Sequence, residues 1–181
     1  MKNKKKLDFI YKKASKILIK KIKKYNLDST RNIIEFPNAG IDYLKIISKK
    51  INKFNGSLLS FDYGYYEKNV FNTLQAIKNH KYINILKIPG EADITHHINY
   101  KLFEEILRKN KLVVEKTTSQ AEFLQKLGII ERANILSQNV SFKKKIDMFY
   151  RLKRLLNHKE MGSLFKVLFA KKEKTKFSLG F

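Results

Sequence analysis

The segment Gly56-Ser57-Leu58-Leu59-Ser60-Phe61 constrains the fold more than any other part of the sequence. Before it, Pro37 opens a helix, since a missing N–H costs nothing in a first helical turn, and Ile41, Leu44, Ile47, Ile51 and Phe54 form the apolar stripe. Gly56 ends that helix. Ser57 to Phe61 is a short apolar run bounded by turn signals, predicted as a buried strand. Helix, glycine and buried strand in succession are the pattern of an α/β fold. Asp62-Tyr63-Gly64-Tyr65-Tyr66 is expected just past that strand, at the carboxyl edge where open α/β sheets bind ligands. The same residues would also suit a plain turn, with Gly64 at positive φ and Asp62 bonding backbone amides.

Helix and strand signals continue on either side. Leu7, Ile10, Ala14, Ile17, Leu18, Ile22 and Tyr25 recur at helical spacing among lysines, predicting an amphipathic helix from Leu7 through Tyr25, at least from Lys13. A basic helix of this kind can lie on a membrane or a partner; packing on its own domain with lysines in water is the expectation here. Residues 69–99 read as an irregular stretch, of a length that is usually functional or disordered. Asn99 is placed to cap a helix carrying Leu102, Phe103, Ile106 and Leu107, followed by a strand at Leu112 to Val114. Ser119-Gln120-Ala121-Glu122 has the form of a capping box, and Gly128 stops the helix it opens. Helices are predicted over 131–137 and 142–156, and a closing strand over 163–170. No repeat and no Gly/Ser/Pro-rich linker divides the 181 residues, which are taken as one domain, 1–181.

Charge and composition limit the chemistry. Thirty-nine Lys and Arg against 16 Asp and Glu give +23, a surplus that points to polyanions. Only Arg31, Arg108, Arg132, Arg151 and Arg154 are arginine, the residue suited to bidentate phosphate and base contacts. Lysine enrichment is therefore expected to give salt-sensitive adsorption rather than a specific nucleic-acid partner. The chain has no cysteine, hence no disulfide, thiolate metal site or cysteine nucleophile. Adjacent His96 and His97 point apart in a strand, so no metal site is expected. No apolar run approaches the roughly 20 residues of a membrane helix, and a cytoplasmic protein without a transmembrane segment is expected. No G-x-S-x-G elbow, P-loop or G-x-G turn occurs; the seven glycines are isolated.

A set of short motifs occurs in a recognisable order: Glu35-Phe36-Pro37, Gly56 to Tyr65, Thr73-Leu74-Gln75-Ala76, His80, Pro89-Gly90-Glu91-Ala92-Asp93-Ile94-Thr95, Gln120, Phe123-Leu124, Leu127-Gly128-Ile129, Arg132, Met161-Gly162 through Leu168, and Gly180-Phe181. From about Leu7 to Phe181 this resembles the C-terminal half of the MidA-like family of S-adenosylmethionine-dependent methyltransferases, whose mitochondrial members methylate an arginine of a respiratory complex I subunit during its assembly. Phe36 departs from the family's serine before the proline, and Asn99-Tyr100 from its Asp-Phe.

The resemblance implies a partial class I, Rossmann-like methyltransferase fold, with Ser57 to Phe61 as the fifth strand and the last segments as the antiparallel final pair. The family's glycine-rich cofactor turn has no counterpart in these residues. The implied cofactor is S-adenosylmethionine, expected not to bind this chain alone, and the implied partner is a separately encoded N-terminal half. Asp62, Tyr63 and Gly64 would lie at the cofactor-facing sheet edge, while Pro89, Gly90, Asp93 and Thr95 would shape the substrate side; no residue is assigned a catalytic role. The expectation is a truncated or split protein arginine methyltransferase, inactive without the missing half. The alternatives are a non-catalytic basic module binding a protein or RNA, and a remnant without function. Removing central strands would leave Ser57 to Phe61 with an unpaired edge and an uncovered apolar face, predicting poor solubility or association.

Overall fold

A computed structural model describes residues 7–27, 33–66, 72–173 and 179–181. In chain order its elements are helices α1 (Lys16–Lys24) and α2 (Asn38–Phe54), strands β1 (Ser57–Tyr65), β2 (Gln75–Lys78), β3 (Lys81–Ile83), β4 (Asp93–Thr95) and β5 (Ile98–Asn99), helix α3 (Tyr100–Lys109), strands β6 (Val113–Val114) and β7 (Thr118–Ser119), helices α4 (Gln120–Lys126), α5 (Ile129–Ser137), α6 (Phe142–Leu156) and α7 (Met161–Leu164), and strand β8 (Phe165–Lys171). They fall into two compact units, Met1–Phe36 with Lys68–His97 and Pro37–Glu67 with Ile98–Phe181.

The larger unit is built on a mixed sheet of order β5-β1-β8-β6, with β7 also pairing β8. Strand β8 runs antiparallel to β1 from the Ser57–Lys171 pair to the Tyr63–Phe165 pair. On the other edge of β1, β5 is parallel and reaches only Gly64 and Tyr65. Among the described residues no strand pairs with Ser57 to Phe61 on that edge. Val167, Leu168, Phe169 and Ala170 of β8 are almost wholly inaccessible and form the centre of the core. Helix α3 lies against β1 and β8 and packs on α2; it buries Tyr100, Leu102, Ile106 and Leu107. Helix α2 buries Ile41, Leu44, Ser48 and Ile51. The Ser48 hydroxyl donates to the Leu44 carbonyl at 2.7 Å, so this buried polar group has a partner. The rings of Phe61, Phe123, Phe181 and Phe169 follow one another at centroid distances of 5.1, 5.2 and 5.5 Å.

Several boundaries differ from the sequence reading. Strand β1 continues four residues past Phe61, because β8 and then β5 offer backbone partners to residues of low strand preference. Asp62, Tyr63 and Gly64 therefore lie on the strand and not beyond it. The closing strand starts at Phe165, after a helical turn over Met161–Leu164. The cap at Asn99 forms, its Oδ1 accepting from Leu102 N at 3.1 Å, and Ser119 and Glu122 make the full reciprocal capping box.

The smaller unit contains the antiparallel sheet β3-β2-β4 inside the stretch read as irregular. Ala76 at its centre is buried. Glu35 ties the unit together: its carboxylate accepts from Thr73 N at 2.8 Å and Thr73 Oγ1 at 2.6 Å, and the Thr73 hydroxyl in turn accepts from His97 N at 2.9 Å. Helix α1 is shorter than predicted. Ser15 caps it from an extended conformation, accepting from Leu18 N at 3.2 Å, and residues 7–14 are exposed and non-helical. Without tertiary packing such a lysine-rich turn does not recover its nucleation cost. No residue of α1 is fully buried; of its apolar stripe Leu18 and Ile22 are half-buried, Ile17 is exposed and Tyr25, just past the helix, is buried together with Leu27.

Candidate functional site

In the larger unit the candidate residues follow one another along the end of β1. The side chain of Asp62 turns back on its own strand, Oδ1 accepting from Tyr63 N at 2.8 Å. Its carbonyl and that of its cross-strand partner Lys166 both accept from the hydroxyl of Tyr100, at 3.0 and 3.3 Å. Tyr100 is fully buried. Burial, and secondarily the charge of Asp62, pushes its hydroxyl up to about 12, so it stays a neutral donor at physiological pH. Tyr63 packs edge-on against Phe165, with ring centroids 5.6 Å apart.

Gly64 has a steric reason that differs from the turn these residues would also have suited. A Cβ there would stand 2.4 Å from the Ile98 carbonyl oxygen and 2.7 Å from the Tyr100 ring. Its φ is not positive. Glycine is needed because β5 and Tyr100 close directly over the strand.

A buried carboxylate lies close to the end of β1, and sequence reasoning did not single it out. Glu104 of α3 accepts from Tyr66 Oη at 3.1 Å, from Thr117 N and Oγ1 at 3.0 and 2.6 Å, and from Arg108 Nη2 at 3.4 Å. Arg108 also donates to the Val114 carbonyl at 2.8 Å. Burial first, then the Glu104 charge, raises the Tyr66 hydroxyl above its ordinary value. This network ties β1, α3 and β6 into one polar anchor. Its only sequence signal is an acid four residues before an arginine on a helix, which is common on solvated faces.

In the smaller unit, Ile88-Pro89-Gly90-Glu91 is a tight turn closed by Glu91 N donating to the Ile88 carbonyl at 3.2 Å. Proline in second place and glycine at φ 82° in third match a type II turn. Nothing lies within 4 Å of a Cβ built on Gly90, so its requirement is conformational alone. Asp93 and Thr95 share one face of β4. Asp93 is exposed, whereas Thr95 Oγ1 accepts from Gln75 Nε2 of β2 at 3.1 Å. The structure thus gathers Asp62, Tyr63 and Gly64 on one strand, and Pro89, Gly90, Asp93 and Thr95 on a turn and strand of the other unit. His96 and His97 join no group of three or more His, Asp or Glu among the described residues.

Comparison with known proteins adds a family. A family model described as "Putative S-adenosyl-L-methionine-dependent methyltransferase" matches residues 1–118. The mitochondrial protein arginine methyltransferase NDUFAF7 of Xenopus tropicalis is 28% identical over 142 residues, 77% of this chain and 32% of that protein. The human NDUFAF7 is 28% identical over 142 residues, 76% of this chain and 31% of its own length. The Caenorhabditis elegans homologue is 32% identical over 102 residues, 56% of this chain and 24% of its own length. The chain therefore spans about a third of the length of such relatives. Among solved structures, a Burkholderia thailandensis protein bound to S-adenosyl-homocysteine matches with a TM-score of 0.73 at 20% identity, over 93% of this chain and 44% of that one. A second from the same organism matches with a TM-score of 0.69 at 21% identity, over 80% and 40%. At these identities the likeness is one of fold.

Proposed function

We propose a function from one premise, that the chain belongs to the family of S-adenosyl-L-methionine-dependent methyltransferases whose model covers its residues 1–118: these residues are the C-terminal part of a protein arginine methyltransferase fold of the NDUFAF7 type, catalytically silent without the N-terminal part of that fold. In this reading its larger unit is the later portion of a class I, Rossmann-like sheet, and β1 is that sheet's fifth strand. Asp62, Tyr63 and Gly64 then stand at the cofactor-facing edge. Pro89, Gly90, Asp93 and Thr95 shape the approach of a protein substrate, as a respiratory complex I subunit would be.

The observation that carries the reading is the one-sided pairing of β1, bonded along β8 on one edge and open from Ser57 to Phe61 on the other. A parallel strand at that place is what the fold calls for. The described residues do not by themselves fit the cofactor. The Asp62 carboxylate is engaged by the next amide, Gly64 is covered by Ile98 and Tyr100, and the isolated glycines supply no G-x-G turn of N–H groups to cradle the ligand. No methyl-transfer step is therefore assigned to these residues alone.

Calorimetric titration of the chain with S-adenosylmethionine tests the proposal. No saturable binding is expected, and micromolar affinity for the chain alone would overturn it. Adding the N-terminal portion of a full-length relative should bring both cofactor binding and methylation of an arginine peptide. If a soluble complement forms a complex and restores neither, the reading fails.

A further inference from the structure

Helix α6 carries two apolar stripes, and only one of them faces the protein. Met148, Phe149, Leu152, Leu155 and Leu156 are half-buried, which fixes the rotation of the helix about its axis. Phe142, Ile146 and Tyr150 are four residues apart and so share another face; they are 80%, 55% and 68% exposed. The neighbouring α5, which packs on α6, leaves Ile135 and Leu136 exposed as well. Single exposed apolar residues are ordinary, but three large ones in register on one helix are not.

The charges around the stripe narrow what can cover it. Helix α6 holds six cations, Lys143, Lys144, Lys145, Arg151, Lys153 and Arg154, against the single acid Asp147, which pairs with Arg151 at 3.0 Å. Lys143, Lys153 and Arg154 lie three or four residues from Ile146 or Tyr150 and so border the stripe. A second copy would bring like charges together and is disfavoured. An aromatic and aliphatic ridge flanked by long cationic side chains is suited to an anionic lipid surface: the rings enter the headgroup boundary while lysine and arginine reach the phosphates. No helix of the described residues is long and apolar enough to cross a membrane, so this contact lies in the interface plane.

We propose that the exposed face of α6, Phe142, Ile146 and Tyr150 with Lys143, Lys153 and Arg154, is a docking surface for an anionic phospholipid membrane. This surface is separate from the methyltransferase reading and does not depend on it.

Flotation of the full chain with phosphatidylcholine–phosphatidylglycerol vesicles, compared with phosphatidylcholine alone, tests it, because aggregates sink and only lipid-bound protein rises. Binding to the anionic vesicles alone is expected. The triple variant F142S/I146S/Y150S, checked by circular dichroism for unchanged helix content, should lower the partition coefficient at least about tenfold. The variant K143Q/K153Q/R154Q, which keeps the apolar ridge, should lower it about fivefold per cation removed. Equal flotation of the serine variant would mean that the net charge acts without α6, and would overturn the proposal. So would flotation of neither vesicle, or an RNA affinity that the serine variant loses while lipid binding is unchanged.

Discussion

The two edges of β1 are made from the same residues and meet unlike surroundings. Toward β8 the strand is paired from Ser57 to Tyr63 and backed by inaccessible residues. Toward β5 it is bonded only at Gly64 and Tyr65; separately, Leu59 and Phe61, alternate residues on one face of the strand, are 46% and 43% exposed. Where the partner strand is supplied within the chain, Asp62 and Gly64 are held in a strand despite their low preference for one. Where none is supplied among the described residues, the backbone groups of Ser57 to Phe61 on that edge have no strand partner, although Leu58, Leu59 and Phe61 are good strand formers. Pairing, more than residue type, decides how β1 behaves.

Amide exchange offers the most direct attempt to break this contrast. Alternate amides along Ser57 to Asp62 should exchange slowly toward β8 and fast toward the open edge, with rates differing on the order of a thousandfold. Uniform protection in the isolated chain would mean that a self-associated strand already fills the edge. The next largest effect is expected at Gly64, where Gly64→Ala drives a Cβ into Ile98 O and the Tyr100 ring. A loss of about 3 kcal/mol is expected in urea denaturation. A neutral outcome would show that β5 is readily displaced from the edge.

Much of this architecture is legible in the sequence where local signals agree. Helix α6 has the predicted bounds because its apolar spacing is sustained over four turns, and the caps at Asn99 and Ser119 form as read because capping involves only neighbouring residues. The strands of the smaller unit escaped because Gln75–Lys78, Lys81–Ile83 and Asp93–Thr95 are short and polar, without a sustained alternation to mark them. Their neighbourhood is fixed instead by Glu35, Thr73 and His97, which lie far apart in the chain. At the candidate site the residues are easy to point to by motif order, but their reasons are not. A glycine needed for clearance and one needed for positive φ look identical in sequence, and so do a buried Glu104 and a solvated one.

Tyr100 sharpens the paired side of the comparison, since its hydroxyl bridges the carbonyls of Asp62 and Lys166 across β1 and β8. Tyr100→Phe should cost about 1–2 kcal/mol at neutral pH, the value of a buried hydrogen bond whose acceptors keep their ladder partners. The pH dependence has a definite sign. The folded-state value is raised from 10.0 to about 12, so the folded chain holds this proton more tightly than the unfolded one. The resulting stability is fully present below pH 10 and is lost as pH rises toward about 12. Urea midpoints of the wild type should therefore fall relative to Tyr100→Phe above pH 10. A constant difference between the two would mean that the hydroxyl ionises as readily in the fold as out of it.

The smallest effect separates the two glycines by mechanism. Gly90 sits at φ 82° with open space around its Cα, whereas Gly64 is at ordinary strand angles with no space at all. Gly90→Ala should cost only about 1 kcal/mol, the conformational penalty of a left-handed residue. Gly90→Asn should recover part of that, since asparagine tolerates positive φ and has room for its side chain. At Gly64 the order must reverse, with asparagine worse than alanine, because each added atom deepens the overlap with Ile98 and Tyr100. Thermal denaturation of the four variants gives both rankings. If asparagine rescued both sites, clearance at the paired end of β1 would not be what requires glycine there.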